Sequence, residues 1–491
     1  MAITYFFLGV YVLAMVFVLL YSMAQAHLLV YFFKFKAWTK KPEALDAKDL
    51  PPVTVQLPVY NEKYVVVRLI EAAAKIRYPA DKLEIQLLDD STDETADLIK
   101  QSIARFPEIN FRYIHREDRT GFKAGALKAG LAQASGDLIA IFDADFVPDP
   151  DFLLRTVGHF QDEKTGMVQT RWTHLNEDYS VLTRLQAFAL DAHFMVEQMG
   201  RNQQNAFINF NGTGGIWRKS CIIDAGNWQD DTLTEDLDLS YRAQQRGWNF
   251  VYRPDIQSPA ELPPVMSAIK SQQFRWTKGG AECAVKHLRD VWSKPLPFHV
   301  KFHATAHLLN AVIFIAVLTV SISSIPVWWA FYQGWIPDSY FQAAAVFLIG
   351  FVVIALVYFV ANLSLLHYSW RGVGRFIWEL PLFLSVSMGL ALHNAQAVWE
   401  GLTGKKSPFV RTPKYNLSLE KPGWKTNVYH SVQVPATTYI EAVFAVVFIV
   451  IVGLSIYTQT YEMLVFHGML AIGYTLVSIT SFRSYRLKSP S

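Results

Sequence analysis

Apolar residues fall in blocks along this chain, and the blocks restrict its possible folds more than any other feature. The first ~33 residues and most of the chain after about position 300 are apolar on the ~20-residue scale of a membrane helix. The stretch between has the composition of an ordinary globular domain. This is the pattern of a membrane protein with one soluble domain inserted between its spans. The expected division is a transmembrane helix over 1–35, a soluble domain over 50–295, and transmembrane and interfacial helices over 300–485 that include a loop over 400–432. Spans are expected near 4–31, 305–328, 341–366, 436–457 and 461–482. A further apolar piece, 376–399, carries Glu379, Pro381, His393 and Asn394 and has basic loops on both sides, so a re-entrant or interfacial course is expected for it. Ala24-Gln25-Ala26 resembles a cleavage site, but no Lys or Arg precedes the long apolar run, and an uncleaved anchor is expected. Lys34, Lys36, Lys40 and Lys41 follow the first span, which puts the soluble domain on the cytoplasmic side by the positive-inside rule. Arg483, Arg486 and Lys488 suit a carboxyl terminus on the same side. A formal net charge of +3 is too small to argue for a nucleic-acid partner. Cys221 and Cys283 are the two cysteines and lack metal-ligand spacing, so no disulfide framework is expected.

Within the soluble domain, strands alternate with helical stretches: VTVQLPV, LEIQLLD, Phe111 to His115, and LIAIF leading into Asp143-Ala144-Asp145. Alternation of this kind predicts a mainly parallel α/β sheet wound in right-handed crossovers. Ligands of such sheets collect beyond the carboxyl ends of the strands. Asp90, Lys123, Asp143 and Asp145 all follow such ends, so one crevice can hold them. Thr92 or Asp93 is placed to cap the helix after the second strand.

Several residue groups in this domain suit chemistry, and each also has a plainer reading. Asp143 and Asp145, at i and i+2 where a strand gives way to a turn, can converge on a hard divalent cation whose other ligands are phosphate oxygens. Turn formation before Pro148 and Pro150 is the plain alternative. Thr234-Glu235-Asp236 opens an amphipathic helix, where the triplet is either a simple cap or the seat of a general base, with Asp236 as the base. Gln272, Arg275 and Trp276 offer an amide, a guanidinium and an aromatic face suited to a sugar and a phosphate, or else interfacial anchoring. Lys123 is placed to meet a diphosphate or to sit in solvent, and Asn211-Gly212-Thr213-Gly214-Gly215 allows close backbone approach to a ligand or a tight turn. Trp172 and His174 carry little signal individually.

The ordered set QLPVYNE, LDDSTDET, DRTGFKAGAL, the Asp-x-Asp pair, VQTRW, FNGTGG, TED, RGW and QQFRW resembles the processive family 2 glycosyltransferases of the cellulose synthase superfamily. Its finer features resemble the cellulose-synthase-like A group, which makes mannan or glucomannan, and its bacterial relatives. The resemblance covers the soluble domain and extends weakly to SPFVRTPKYN. It implies an α/β GT-A glycosyltransferase domain inserted in an α-helical transmembrane bundle, with inverting transfer from a nucleotide-sugar donor, GDP-mannose or UDP-glucose, to a growing β-linked polysaccharide. By motif, it implies that Asp90 meets the nucleotide base, that Asp143 meets ribose or diphosphate, and that Asp145 holds Mg2+ or Mn2+. It further implies that Lys123 and Arg275 complete the donor site, that Asp236 is the base, and that Gln272, Trp276, Trp172 and Glu235 face the acceptor. A single transfer to ceramide or diacylglycerol is the alternative activity, and a scaffold or transporter is a further one. The membrane expected is a bacterial inner membrane, or a Golgi membrane for a eukaryotic chain. No cyclic-dinucleotide switch of the kind found in bacterial cellulose synthase is expected.

Overall fold

The computed structural model of the protein describes residues 2–35, 45–407, 410–417 and 434–485. Lys36, Lys40, Lys41, Arg486 and Lys488, and positions 408–409 and 418–433 of the expected loop, lie outside the described residues. The chain begins with α1 (Ala2–Phe35), whose apolar residues extend round the whole helix, as a membrane span requires. The α/β unit follows as β1 (Val53–Val59), α2 (Val66–Ala73), β2 (Leu83–Asp89), α3 (Thr95–Ile103), β3 (Phe111–His115), α4 (Phe122–Gln133) and β4 (Leu138–Ile141). These four strands pair in parallel, with Val55 opposite Ile85 and Ala140, and Leu87 opposite Tyr113. β1, β2 and β4 are buried along almost their whole length because helices cover both faces of the sheet. Their few polar side chains pair with one another: Gln56 Nε2 donates to Gln86 Oε1 at 3.0 Å, and Thr54 Oγ1 to Glu84 Oε2 at 2.7 Å.

After α5 (Phe152–Thr156) come β5 (Thr165–His174), α6 (Val181–Ala192), a π-helical turn over His193–Gln198, and α7 (Met199–Gln203). β6 (Gly215–Arg218), α8 (Lys219–Asp224), α9 (Glu235–Gln244) and β7 (Asn249–Ala260) complete a seven-stranded sheet in the order β3-β2-β1-β4-β6-β5-β7. Only β6 runs antiparallel to its neighbours, so the expectation of a mainly parallel sheet holds. The order reverses direction between β1 and β4, which opens a crevice at their carboxyl ends.

α10 (Met266–Ser293) leads out of the sheet to α11 (Phe298–Leu308), α12 (Ile313–Tyr332), α13 (Asp338–Ala344), α14 (Leu348–Leu365), α15 (Trp370–Gly389), α16 (Ala391–Leu402), α17 (Ala436–Tyr457) and α18 (Leu464–Tyr485). Among the described residues, five helices are long and apolar enough to cross a membrane: Thr4–Lys34, Asn310–Tyr332, Ser339–Leu365, Ala436–Tyr457 and Leu464–Tyr485. This makes the chain an integral membrane protein. The second span starts later than the sequence suggests, because His303 and His307 belong to the separate α11, which ends at Leu308. The 376–399 piece lies within α15 and α16, which meet at an angle of 52°, the bend of a broken span or a re-entrant loop.

Candidate active site

The ten side chains singled out in the sequence line one cavity of about 180 Å³ at the carboxyl ends of β1, β2 and β4: Asp90, Lys123, Asp143, Asp145, Trp172, Glu235, Asp236, Gln272, Arg275 and Trp276. Asp90 follows β2 and accepts from Arg116 through both carboxylate oxygens, at 2.7 and 2.6 Å. Beside it the Arg119 guanidinium lies 3.4 Å from the centre of the Tyr60 ring. Asp143 follows β4, its backbone N–H donating to Thr213 Oγ1 at 2.8 Å. Lys123 is in the first turn of α4, and its Nζ lies 2.6 Å from Asp143 Oδ1, 3.9 Å from Glu235 Oε1 and 2.8 Å from the Gly212 carbonyl. Gly212 has φ +80°, a conformation that a side chain would strain, and a Cβ there would stand 3.1 Å from Asp236 Oδ2. The FNGTGG segment thus serves close backbone approach around the two acids rather than a remote turn.

Asp236 enters the cavity from the first turn of α9, with Oδ1 accepting from the Leu237 N–H at 2.9 Å. Thr234 precedes the helix but makes no side-chain cap hydrogen bond, and its hydroxyl meets the Cys283 thiol instead. At the other proposed cap, Thr92 bonds Asn61 across the loop, while Asp93 accepts from the Thr95 N–H at 3.0 Å. Burial, then repulsion from Glu235, pushes the Asp236 carboxyl up to about 7, against the opposing pull of Lys123. Burial also raises Glu235. Burial alone would lower the Lys123 ammonium, but Asp143 and Glu235 outweigh it and raise it. An acid poised in this way suits proton transfer near neutrality.

Gln272, Arg275 and Trp276 project from one stretch of α10, where Arg275 Nη2 donates to Thr412 Oγ1 at 2.7 Å. Trp172, near the end of β5, donates its Nε1–H to the Thr213 carbonyl at 3.2 Å and packs against Phe146 and Phe194. His174 pairs with Asp191 at 3.4 Å and lines the same cavity.

Sequence reasoning missed the residues that reach this cavity from elsewhere in the chain. Lys414 Nζ sits 2.7 Å from Asp145 Oδ1 and 3.5 Å from Glu62 Oε1, and Arg411 Nη1 lies 2.6 Å from Glu62 Oε2. Glu62 belongs to QLPVYNE, and Arg411, Thr412 and Lys414 to SPFVRTPKYN, so the family pattern was the only available signal. No spacing rule links residues some 350 positions apart. Asp143 and Asp145 are each paired with an ammonium, which marks two places where positive charge is stabilised. Among the described residues, no group of three or more His, Cys, Asp and Glu converges as a self-sufficient metal cage.

A second cavity, of about 520 Å³, shares Trp172, Asn211, Thr234, Asp236 and Trp276 with the first and continues between α1, α12, α14 and α15. Its wall mixes apolar groups such as Phe314, Ile354 and Phe383 with polar ones including Tyr21, Gln25, His193, Gln273 and Asn310.

With this geometry in view, the profile described as "Glycosyltransferase like family 2" matches residues 51–279. A "Glucomannan 4-beta-mannosyltransferase 1" of Oryza sativa subsp. japonica is 36% identical over 386 residues, 77% of this chain and 71% of its own. The chain belongs to the family 2 glycosyltransferases. "Probable glucomannan 4-beta-mannosyltransferase 4" of the same species is 41% identical over 305 residues, 58% of this chain and 56% of its own. "Glucomannan 4-beta-mannosyltransferase 7" of Arabidopsis thaliana is 38% identical, over 61% of this chain and 58% of its own. The family 2 chain thus spans a little over half the length of these relatives. Among solved structures, the mannosyltransferase PcManGT of Pyrobaculum calidifontis, in complex with GDP-Man and Mn2+, superposes with a TM-score of 0.54 at 20% identity. The match covers 81% of this chain and 100% of that one and shows a shared fold.

Proposed function

We propose that the protein is an inverting mannosyltransferase that transfers mannose from GDP-mannose to a growing β-linked mannan or glucomannan. The observation that carries this reading is the adjacency of the two cavities: Asp236 and Trp276 line both, and the second lies within the helix bundle. A product made at Asp236 has a path along polar side chains and aromatic faces, as a chain of pyranoses requires. The acceptor hydroxyl attacks the anomeric carbon on the face opposite the diphosphate, the bond to the diphosphate breaks, and the hydroxyl proton passes to Asp236. Lys123 and Arg275 face the charge of the leaving diphosphate, while Asp90, Arg119 and Tyr60 frame the base end of the donor site. Gln272, Trp276, Trp172 and Glu235 hold the acceptor.

Asp143 and Asp145 are hard oxygen ligands whose partners are now ammonium groups, and this donor set suits Mg2+ or Mn2+ shared with phosphate oxygens. Bound there, the ion would neutralise charge on the diphosphate. The reading divides the chain at 1–35, 50–295 and 300–485, with the catalytic unit on the cytoplasmic side as Lys34 and the lysines after it indicate. A single transfer to a membrane lipid is the second reading, supported by the apolar part of the larger cavity, where an acyl chain has room.

The test is to incubate membranes containing the protein with labelled GDP-mannose or UDP-glucose, with and without EDTA, then extract with organic solvent and digest the residue with linkage-specific hydrolases. Insoluble label released by an endo-β-mannanase is the expected result. Label recovered as a monohexosyl lipid in the solvent would replace the polymer reading with the lipid one. Donor binding indifferent both to EDTA and to Asp145→Ala would remove the metal assignment.

A further inference from the structure

The π-helical turn over His193–Gln198 interrupts the helical run between α6 and α7, directly where that run borders the larger cavity. Such turns place side chains that a regular α-helix would turn away, and they recur at functional sites. Here His193 Nδ1 lies 3.0 Å from Glu197 Oε2, and Nε2 lies 3.2 Å from Asn211 Oδ1. A carboxylate can only accept, so Nδ1 carries a proton toward Glu197 and the ring is held with its far nitrogen toward Asn211. Glu197 is itself fixed on its other side, accepting from Gln25 Nε2 of α1 at 2.9 Å and facing Arg201 Nη1 at 3.8 Å. Burial would raise its carboxyl, but the hydrogen bond and charge of His193, then Arg201, outweigh burial and hold it below the usual carboxylate range.

The polar groups around this couple are incompletely satisfied. Asn209 Nδ2 donates to Asn211 Oδ1 at 2.8 Å, yet Asn209 Oδ1 and Asn211 Nδ2 are buried with no hydrogen-bond partner. Buried amide atoms left open in a cavity wall call for a hydroxyl-bearing occupant. Asn211 borders both cavities, whereas His193 and Glu197 border only the larger one, one step further from the donor carboxylates than Asp236 is. On the proposed polymerase reading, the occupant at that step is the acceptor sugar behind the terminal one.

We propose that Asn209 and Asn211 hydrogen-bond hydroxyls of the penultimate acceptor sugar through their open amide atoms, and that His193, held by Glu197, is the positioning residue that fixes Asn211 and thereby aligns the terminal hydroxyl with Asp236. The inference rests on the glycan-transfer reading. Removing the ring therefore weakens acceptor alignment without touching the donor contacts.

The test measures elongation of mannohexaose from GDP-mannose in detergent-solubilised full-length protein, comparing wild type with His193→Ala, His193→Gln and Glu197→Gln. For His193→Ala we expect the acceptor KM to rise about tenfold, the loss of one well-made hydrogen bond. Donor KM should move less than about twofold, and the ratio of donor hydrolysis to transfer should increase. His193→Gln, which keeps an N–H donor near the Nε2 position, should recover part of the acceptor KM. Glu197→Gln should fall between the wild type and His193→Ala. His193→Phe preserves ring volume and gives the same readout where the alanine variant fails to accumulate in membranes. An unchanged acceptor KM in both the alanine and phenylalanine variants would overturn the proposal, as would equal changes in donor and acceptor KM. Wild-type protein that hydrolyses GDP-mannose but elongates no oligosaccharide would instead remove the functional reading on which the proposal stands.

Discussion

Asp236 shows how a single residue acquires a role its sequence context leaves open. The triplet Thr234-Glu235-Asp236 reads equally well as a helix start and as the seat of a base. What separates the two is the surroundings: Glu235 beside it, Lys123 across from it, and the backbone of Gly212 against its carboxylate. Asp236→Asn should retain donor affinity and lose turnover by about 10²- to 10⁴-fold, the usual contribution of general base catalysis. Equilibrium binding of GDP-mannose measured beside single-turnover transfer separates the two effects. A base must be deprotonated to act, and the Asp236 carboxyl is pushed up to about 7. The rate should therefore fall as pH drops through that value, with kcat/KM losing about tenfold per pH unit well below it. A profile flat between pH 5 and pH 8 would assign proton removal elsewhere. Asp90, Asp143 and Asp145 were legible because each follows an apolar strand. Lys414 was not, because its contact with Asp145 is made across more than half the chain.

At the scale of elements, the strands and the long apolar helices were readable from residue pattern, while the contacts between helices were not. α15 and α18 come together at glycines: a Cβ on Gly473 would lie 1.8 Å from the Ser385 carbonyl oxygen, and one on Gly389 would lie 2.4 Å from the Gly473 carbonyl. Small residues let membrane helices approach until their backbones touch, and the gain is packing rather than water release. Gly473→Ala must push the two helices apart, at a cost of about 1–3 kcal/mol. Thermal unfolding in detergent, followed by the loss of monodisperse protein, should show a lower transition for this variant than for Gly453→Ala, where a Cβ meets open space. The π-helical turn at His193–Gln198 likewise left no mark on the sequence pattern, because its registry depends on what α1 and the larger cavity present to it.

The whole molecule joins the catalytic unit to the bundle through buried charges. Lys270, four residues before Phe274 and five before Arg275 on α10, places its Nζ 2.6 Å from Glu441 Oε2 of α17, and both side chains are almost fully buried. Removing one member leaves the other charged in a dry interior, so Lys270→Met should destabilise the protein by about 3–5 kcal/mol. The double replacement Lys270→Met with Glu441→Leu should recover most of that loss. Equal losses in the single and double variants, read from the same detergent melts, would show that the pair does not fix α10 against the bundle. The sequence by itself determined the membrane spans, the first four strands and the acids at their ends, because these follow from hydrophobic periodicity and from short-range turn chemistry. Tertiary structure alone decided which distant groups meet those acids, that Asp236 is poised near neutrality, and that its cavity shares a wall with one inside the bundle. Coulomb and desolvation effects depend on separations in space, and residues hundreds of positions apart become neighbours only once the chain has folded.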